Sequence, residues 1–146
     1  MVENPLTTLT PEKKTAVIDD VGVKPFEEFQ NYIRIPQTCG VISKVVDVLN
    51  RLVSVSSLDI EHIAKELNLS KRTLQRHLWK NGSSFIELRD KVRFKYAMIY
   101  LLEKHMSIEN TASYLKFSDR TSFTNAFKRW CGYSPSTFRK IYHGKI

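Results

Sequence analysis

Residues 70–80 place Lys71, Arg72, Gln75, Arg76 and Lys80 on one side of any helix that turns Leu74 and Leu78 inward, and the stretch contains no acid. Guanidinium and carboxamide groups form paired hydrogen bonds to the edges of guanine and adenine, and ammonium and hydroxyl groups suit phosphate oxygens. Residues 118–128 offer a similar face, with Arg120, Thr121, Thr124, Asn125 and Lys128 outward and Asp119 as the sole acid. The chemistry implied is recognition of a polyanion rather than bond making. No Ser/His/Asp or Cys/His set is supported by spacing, and the five glycines form no phosphate loop.

Such faces need rigid supports, and the chain writes one support twice. Ile60-x-x-Ile63-Ala64-x-x-Leu67-x-Leu69-Ser70-x-Arg72-Thr73-Leu74 is followed by Ile108-x-x-Thr111-Ala112-x-x-Leu115-x-Phe117-Ser118-x-Arg120-Thr121-Ser122-Phe123, with one extra residue before Phe123. Each copy reads as a short helix, a tight turn and a second helix. Ala64 and Ala112 let the two helices cross closely. Leu67, Leu69, Leu74 and Leu78, then Leu115, Phe117, Phe123 and Phe127, are expected in the core and set the crossing angle.

The elements around these motifs follow from period and caps. Ile42, Val45, Val46, Leu49, Leu52 and Val53 form the apolar face of a helix beginning at Val41. Ser57, Ser70, Ser107 and Ser118 are expected N-caps, Ser84 and Glu87 have capping-box spacing, and Gly82 and Gly132 end helices. A long helix from Ser84 to about Lys104 carries Leu88, Val92, Tyr96, Ile99 and Leu102 in period, and Ser134-Pro135 opens a last short helix. The prediction is an all-α fold: seven helices, no strand, and two helix-turn-helix subdomains (38–82 and 106–146) joined by a linker helix (83–105). Trp79, Tyr100, Tyr114 and Trp130 are read as core or seam aromatics. Residues 1–37, with four prolines and no sustained period, read as an arm or linker, although Phe26, Phe29, Tyr32 and Ile33 have the spacing of a short turn able to dock.

Charge follows the same division. Residues 1–40 carry four Lys/Arg against six Asp/Glu, whereas 41–146 carry 19 against nine, so the net charge of +8 lies in the segment holding the motifs. No apolar run is long enough for a membrane span, and no signal-like leader opens the chain, which leads us to expect an intracellular protein. Cys39 and Cys131 match no redox or metal spacing and are read as reduced; the four histidines are scattered, so neither a metal site nor a cofactor is expected.

Residues 41–142 resemble the DNA-binding domain of the AraC/XylS family of bacterial transcription regulators. The resemblance rests on Ala112-Ser113-Tyr114-Leu115-Lys116-Phe117-Ser118-Asp119-Arg120-Thr121-Ser122-Phe123-Thr124-Asn125-Ala126-Phe127-Lys128 followed by Gly132-Tyr133-Ser134-Pro135-Ser136-Thr137-Phe138-Arg139. It extends to Leu69-Ser70-Lys71-Arg72-Thr73-Leu74-Gln75-Arg76-His77-Leu78 and to the stretch from Phe85 to Ala97. The first half is similar to the branch whose full-length members carry an effector-binding domain. The resemblance implies that the second helix of each motif enters a major groove, with Arg72, Gln75, Arg76, Arg120, Thr121, Thr124 and Asn125 as base-reading candidates and Ser70, Lys71, Lys80, Ser118 and Lys128 as phosphate candidates. It also implies a structural role for Arg93 across the subdomain joint and Asp119 as a partner for Arg139. Two positions depart from the family pattern: Lys116 replaces a glycine, and Asn125 replaces an arginine.

The expectation is therefore a monomeric double-stranded-DNA reader, cytoplasmic and nucleoid-associated, with RNA polymerase as a further candidate partner. The alternative is a helical protein-interaction module on the same scaffold with weak DNA binding.

Overall fold

The computed structural model describes residues 22–35 and 40–146. Eight α-helices are present among them: α1 (Phe26–Ile33), α2 (Val41–Leu52), α3 (Ile60–Glu66), α4 (Lys71–Lys80), α5 (Phe85–Met98), α6 (Ile108–Tyr114), α7 (Arg120–Cys131) and α8 (Pro135–Tyr142). The described residues contain no strand, so the all-α expectation holds. The expected helix count is one short.

The additional helix is α1, inside the range that reads as an arm. Glu27 and Glu28 in its first turn suit the positive end of the helix dipole. Phe26 and Phe29 are buried. The Phe29 ring lies 5.1 Å from Tyr142, 5.3 Å from Phe138 and 5.9 Å from Phe94, centroid to centroid. The Tyr133 hydroxyl accepts from the Lys24 amide at 3.2 Å, and the Tyr142 hydroxyl donates to the Lys24 carbonyl. Lys91 donates to the Tyr32 carbonyl and lies 4.4 Å from the centre of the Tyr32 ring. The arm reading is thus corrected over Phe26–Ile33: aromatic rings with no long helical period of their own find partners only in the tertiary fold. Cys39 lies outside the described residues. Burial pushes the Cys131 thiol up to about 11, so it stays protonated at neutral pH.

The linker helix α5 packs against α1, α2 and α7 and is buried on several sides. Leu88, Val92 and Leu102 are buried as expected, but Tyr96 and Ile99 are only half-buried, while Phe94, Ala97, Met98 and Leu101 are buried. The sequence pattern implies one apolar stripe where three neighbouring helices cover the helix. After Met98 the helix widens into a π segment, Ile99–Glu103, closed by the Lys104 amide bonding to the Ile99 carbonyl at 3.0 Å.

Ser70, Ser84, Ser107 and Ser134 cap their helices, each accepting from the amide three residues on. Two caps are corrected. Asp59, not Ser57, accepts from the His62 amide at 2.9 Å, and Asp119, not Ser118, accepts from the Ser122 amide at 2.7 Å. In both places a carboxylate sits closer to the first turn than the serine, and an ionised acceptor makes the stronger bond. Gly132 ends α7 in the left-handed conformation.

Replacing Phe29 with Ala should lower stability by about 3 kcal/mol or more, the usual cost of emptying a buried phenylalanine site. Chemical denaturation of the full chain measures it, and a loss below about 1 kcal/mol would show that α1 rests on the body without supporting it.

Candidate nucleic-acid interface

Each helix-turn-helix unit is built from a packed helix pair, α3 on α4 and α6 on α7, and the small residues Ala64 and Ala112 are buried as expected of the crossing positions. Leu74, Leu78, Leu115, Phe123 and Phe127 are fully buried, whereas Leu67, Leu69 and Phe117 are half-buried at the edge of the core rather than inside it. The two turns share one backbone device. Asn68 and Lys116 stand at corresponding positions with φ of +58° and +65°. Asparagine tolerates that conformation better than most residues, and lysine holds it against the repulsion between its Cβ and the following carbonyl.

The turns deliver α4 and α7 with one face free. On α4, Lys71, Arg72, Gln75, Arg76 and Lys80 are exposed. Lys71 is held 3.3 Å from Glu61 of α3. Arg72, Gln75, Arg76 and Lys80 have no ion pair or side-chain hydrogen bond among the described residues. The Ser70 hydroxyl is engaged in its cap, accepting from the Thr73 amide at 3.1 Å. On α7, Arg120, Thr121, Asn125 and Lys128 are exposed, and Thr124 is half-buried. Arg120 is paired with Glu109 of α6; a backbone amide, together with this bond, holds the Glu109 carboxyl below the usual carboxylate range. Ser118 is exposed, its hydroxyl 3.3 Å from that of Ser122.

The candidates within each unit thus share a face, with different electrostatics. Among the described residues the α4 face keeps its guanidinium groups unpaired, while Arg120 of the α7 face is paired with Glu109. The α4 face also borders an open groove of about 770 Å³, whose other wall includes Ile86 and Arg89 of α5. Sequence reasoning missed Trp79, whose size and apolarity suggest a core or seam aromatic. It is 80% exposed and lines this groove. Its position seven residues after Arg72 is the available signal, because i, i+4 and i+7 share a face. Tyr114 is likewise exposed, and Tyr100 and Trp130 are half-buried.

Of the two supporting arginines, Arg93 spans the joint as expected and Arg139 takes another partner. Arg93 is lowered to about 10 by burial and by Arg89, and its guanidinium lies 4.7 Å from the centre of the Phe117 ring, beneath the second turn. It joins α5 to the second unit by stacking. Arg139 donates to the Met106 carbonyl, not to Asp119, whose carboxylate is engaged in capping α7.

These features define a double helix-turn-helix domain. A family model described as a helix-turn-helix domain matches residues 63–141, and the chain belongs to that family, which is of the AraC type. It is 40% identical over 126 residues to the Msm operon regulatory protein of Streptococcus mutans, covering 86% of this chain and 43% of that protein. It is 37% identical over 82 residues to the ornithine utilization regulator of Pseudomonas aeruginosa, covering 56% of this chain and 24% of that protein. The fold is similar to the C-terminal domain of AraT, a response regulator from Geobacillus stearothermophilus, with TM-score 0.67 and 28% identity over 74% of this chain and 90% of that one. The chain spans less than half the length of the two regulators.

Lys116→Gly should stabilise the chain by about 1 kcal/mol, the order of the left-handed penalty it removes less the added freedom of the unfolded glycine. A thermal melt that falls instead would mean that the turn is unstrained. Glu109→Gln should release Arg120 and remove a negative charge beside the second face, strengthening duplex binding by roughly two- to five-fold at low salt. Fluorescence anisotropy reads the change, and weaker binding would show that the pair orients Arg120 usefully.

Proposed function

We propose that this chain binds double-stranded DNA sequence-specifically and regulates transcription, with α4 and α7 lying in two successive major grooves. The observation that carries the reading is the α4 face: Arg72, Gln75 and Arg76 are exposed, adjacent and without a partner among the described residues, on a helix delivered by a tight turn. Arginine suits guanine and glutamine suits adenine, and the excess positive charge of residues 41–146 suits phosphate. Thr121, Thr124 and Asn125, with Arg120, serve the second groove, and Ser70, Lys71, Lys80, Ser118 and Lys128 face phosphates. The helix formed by α5 and its π segment runs over 19 residues, about 28 Å, close to one turn of DNA. That span allows a single copy to reach both grooves. A reader of this kind works as a binding protein rather than an enzyme, at the nucleoid in the cytoplasm, where RNA polymerase is its natural second partner.

Footprinting on a site selected from random duplexes tests the reading. Two protected patches on one DNA face are expected, and one short patch, or binding only as a dimer, counts against it. On that site Arg76→Ala should cost about 1–3 kcal/mol and relax preference at one base pair. Asn125→Ala should cost less. Equal losses at both positions on selected and scrambled duplexes would mean that these side chains touch only phosphate.

A further inference from the structure

Trp79 is the largest apolar group left in solvent on the α4 face. Its indole is 80% exposed, and Ile86 of α5, 61% exposed, borders the same groove. Trp79 follows Arg72 by seven residues and Arg76 by three, so it shares their side of the helix and lies about 10 Å further along the axis than Arg72. The cations beside it, Arg72 and Arg76, are unpaired among the described residues, while Lys71 is tied to Glu61. The carboxylates of the groove are engaged, Asp59 in capping α3 and Glu61 with Lys71, so an occupant on the Trp79 side meets free cations and an indole and is best matched by an anion that also presents an apolar group. A DNA strand meets both demands, because the C5-methyl of thymine is the one apolar group on the major-groove edges of the bases.

We infer that Trp79 is a specificity-determining residue that packs its indole on a thymine methyl in the half-site read by α4. The inference rests on the proposed DNA reading and adds a base preference that none of the polar candidates supplies. Ile86 flanks the contact and helps exclude water from it. The indole is a large contact surface with only two torsions to fix, so ordering it on DNA is inexpensive.

The test replaces each thymine of the selected first half-site in turn with deoxyuridine, which removes only the methyl. One position should weaken binding of the parent chain about four-fold, the worth of one buried methyl group. Trp79→Ala should weaken binding to the thymine duplex by about ten-fold or more and abolish the difference between thymine and deoxyuridine at that position. Because Trp79 is exposed, this variant should keep its helicity, which circular dichroism checks. If Trp79→Ala binds as tightly as the parent while Arg76→Ala still weakens binding, groove reading stands and the Trp79 contact is overturned. If Trp79→Ala weakens both duplexes and leaves the thymine preference intact, the thymine contact is likewise overturned. If the parent binds no duplex at all, the DNA reading fails with it.

Discussion

Phe94, fully buried on α5, touches rings from three other helices: Phe29 and Tyr32 of α1, Phe127 and Trp130 of α7, and Phe138 of α8, at centroid distances of 5.4 to 6.0 Å. Four of these five pairs meet edge to face, an arrangement that the ring quadrupole favours. This cluster is the joint between the linker helix and the second helix-turn-helix unit. A close-packed joint cannot deform continuously, so the direction of α7 relative to α5 is fixed by how these rings interlock. The first unit is fixed to α5 through α2, which packs on α5 and on both α3 and α4. The two exposed faces thus inherit their relation from one buried aromatic contact and not from anything on the surface.

The surface then divides the labour. The α4 face combines guanidinium groups that have no partner among the described residues with an exposed indole and a groove; the α7 face combines hydroxyl and amide groups with an arginine already paired to Glu109. Pairing within the protein lowers the field that the second face presents, so electrostatic attraction is concentrated on the first. Arg93 contributes in another way. Half-buried and stacked on Phe117, it ties the second turn to α5 by contact with a ring rather than by an ion pair, an arrangement that tolerates salt better.

Both helix-turn-helix units are legible in the sequence because their signals are local: small residues between the helices, leucines and phenylalanines at helical spacing, and serine caps on one helix of each pair. The faces of α4 and α7 are legible for the same reason. What escapes is tertiary. The spacing of Phe26, Phe29, Tyr32 and Ile33 allows a docked turn but is too short to choose it over an arm, and the choice is made by Phe94, Phe138 and Tyr142. Phe94, Ala97 and Met98 fall off the expected stripe because α5 is covered by three helices. Asp59 and Asp119 displace neighbouring serines as caps, a competition that hydrogen-bond geometry decides and spacing does not. Trp79 misleads because size and apolarity suggest burial, while its position on the helix points outward.

The π segment Ile99–Glu103 bears on the geometry in a further way. Every residue added to or removed from an α-helix turns the downstream chain by about 100°, so a single wide turn resets the angular phase between the two ends. It lies between the ring cluster and α6, downstream of the contacts that anchor the first unit. In a duplex, major grooves return to one face only once per helical repeat, and a reader of two of them must match that periodicity in angle as well as in length. The ring cluster around Phe94 fixes α7; the wide turn sets the angle at which the chain leaves α5 for α6, so the helix that must pack on α7 is aimed by a local change of pitch rather than by a loop.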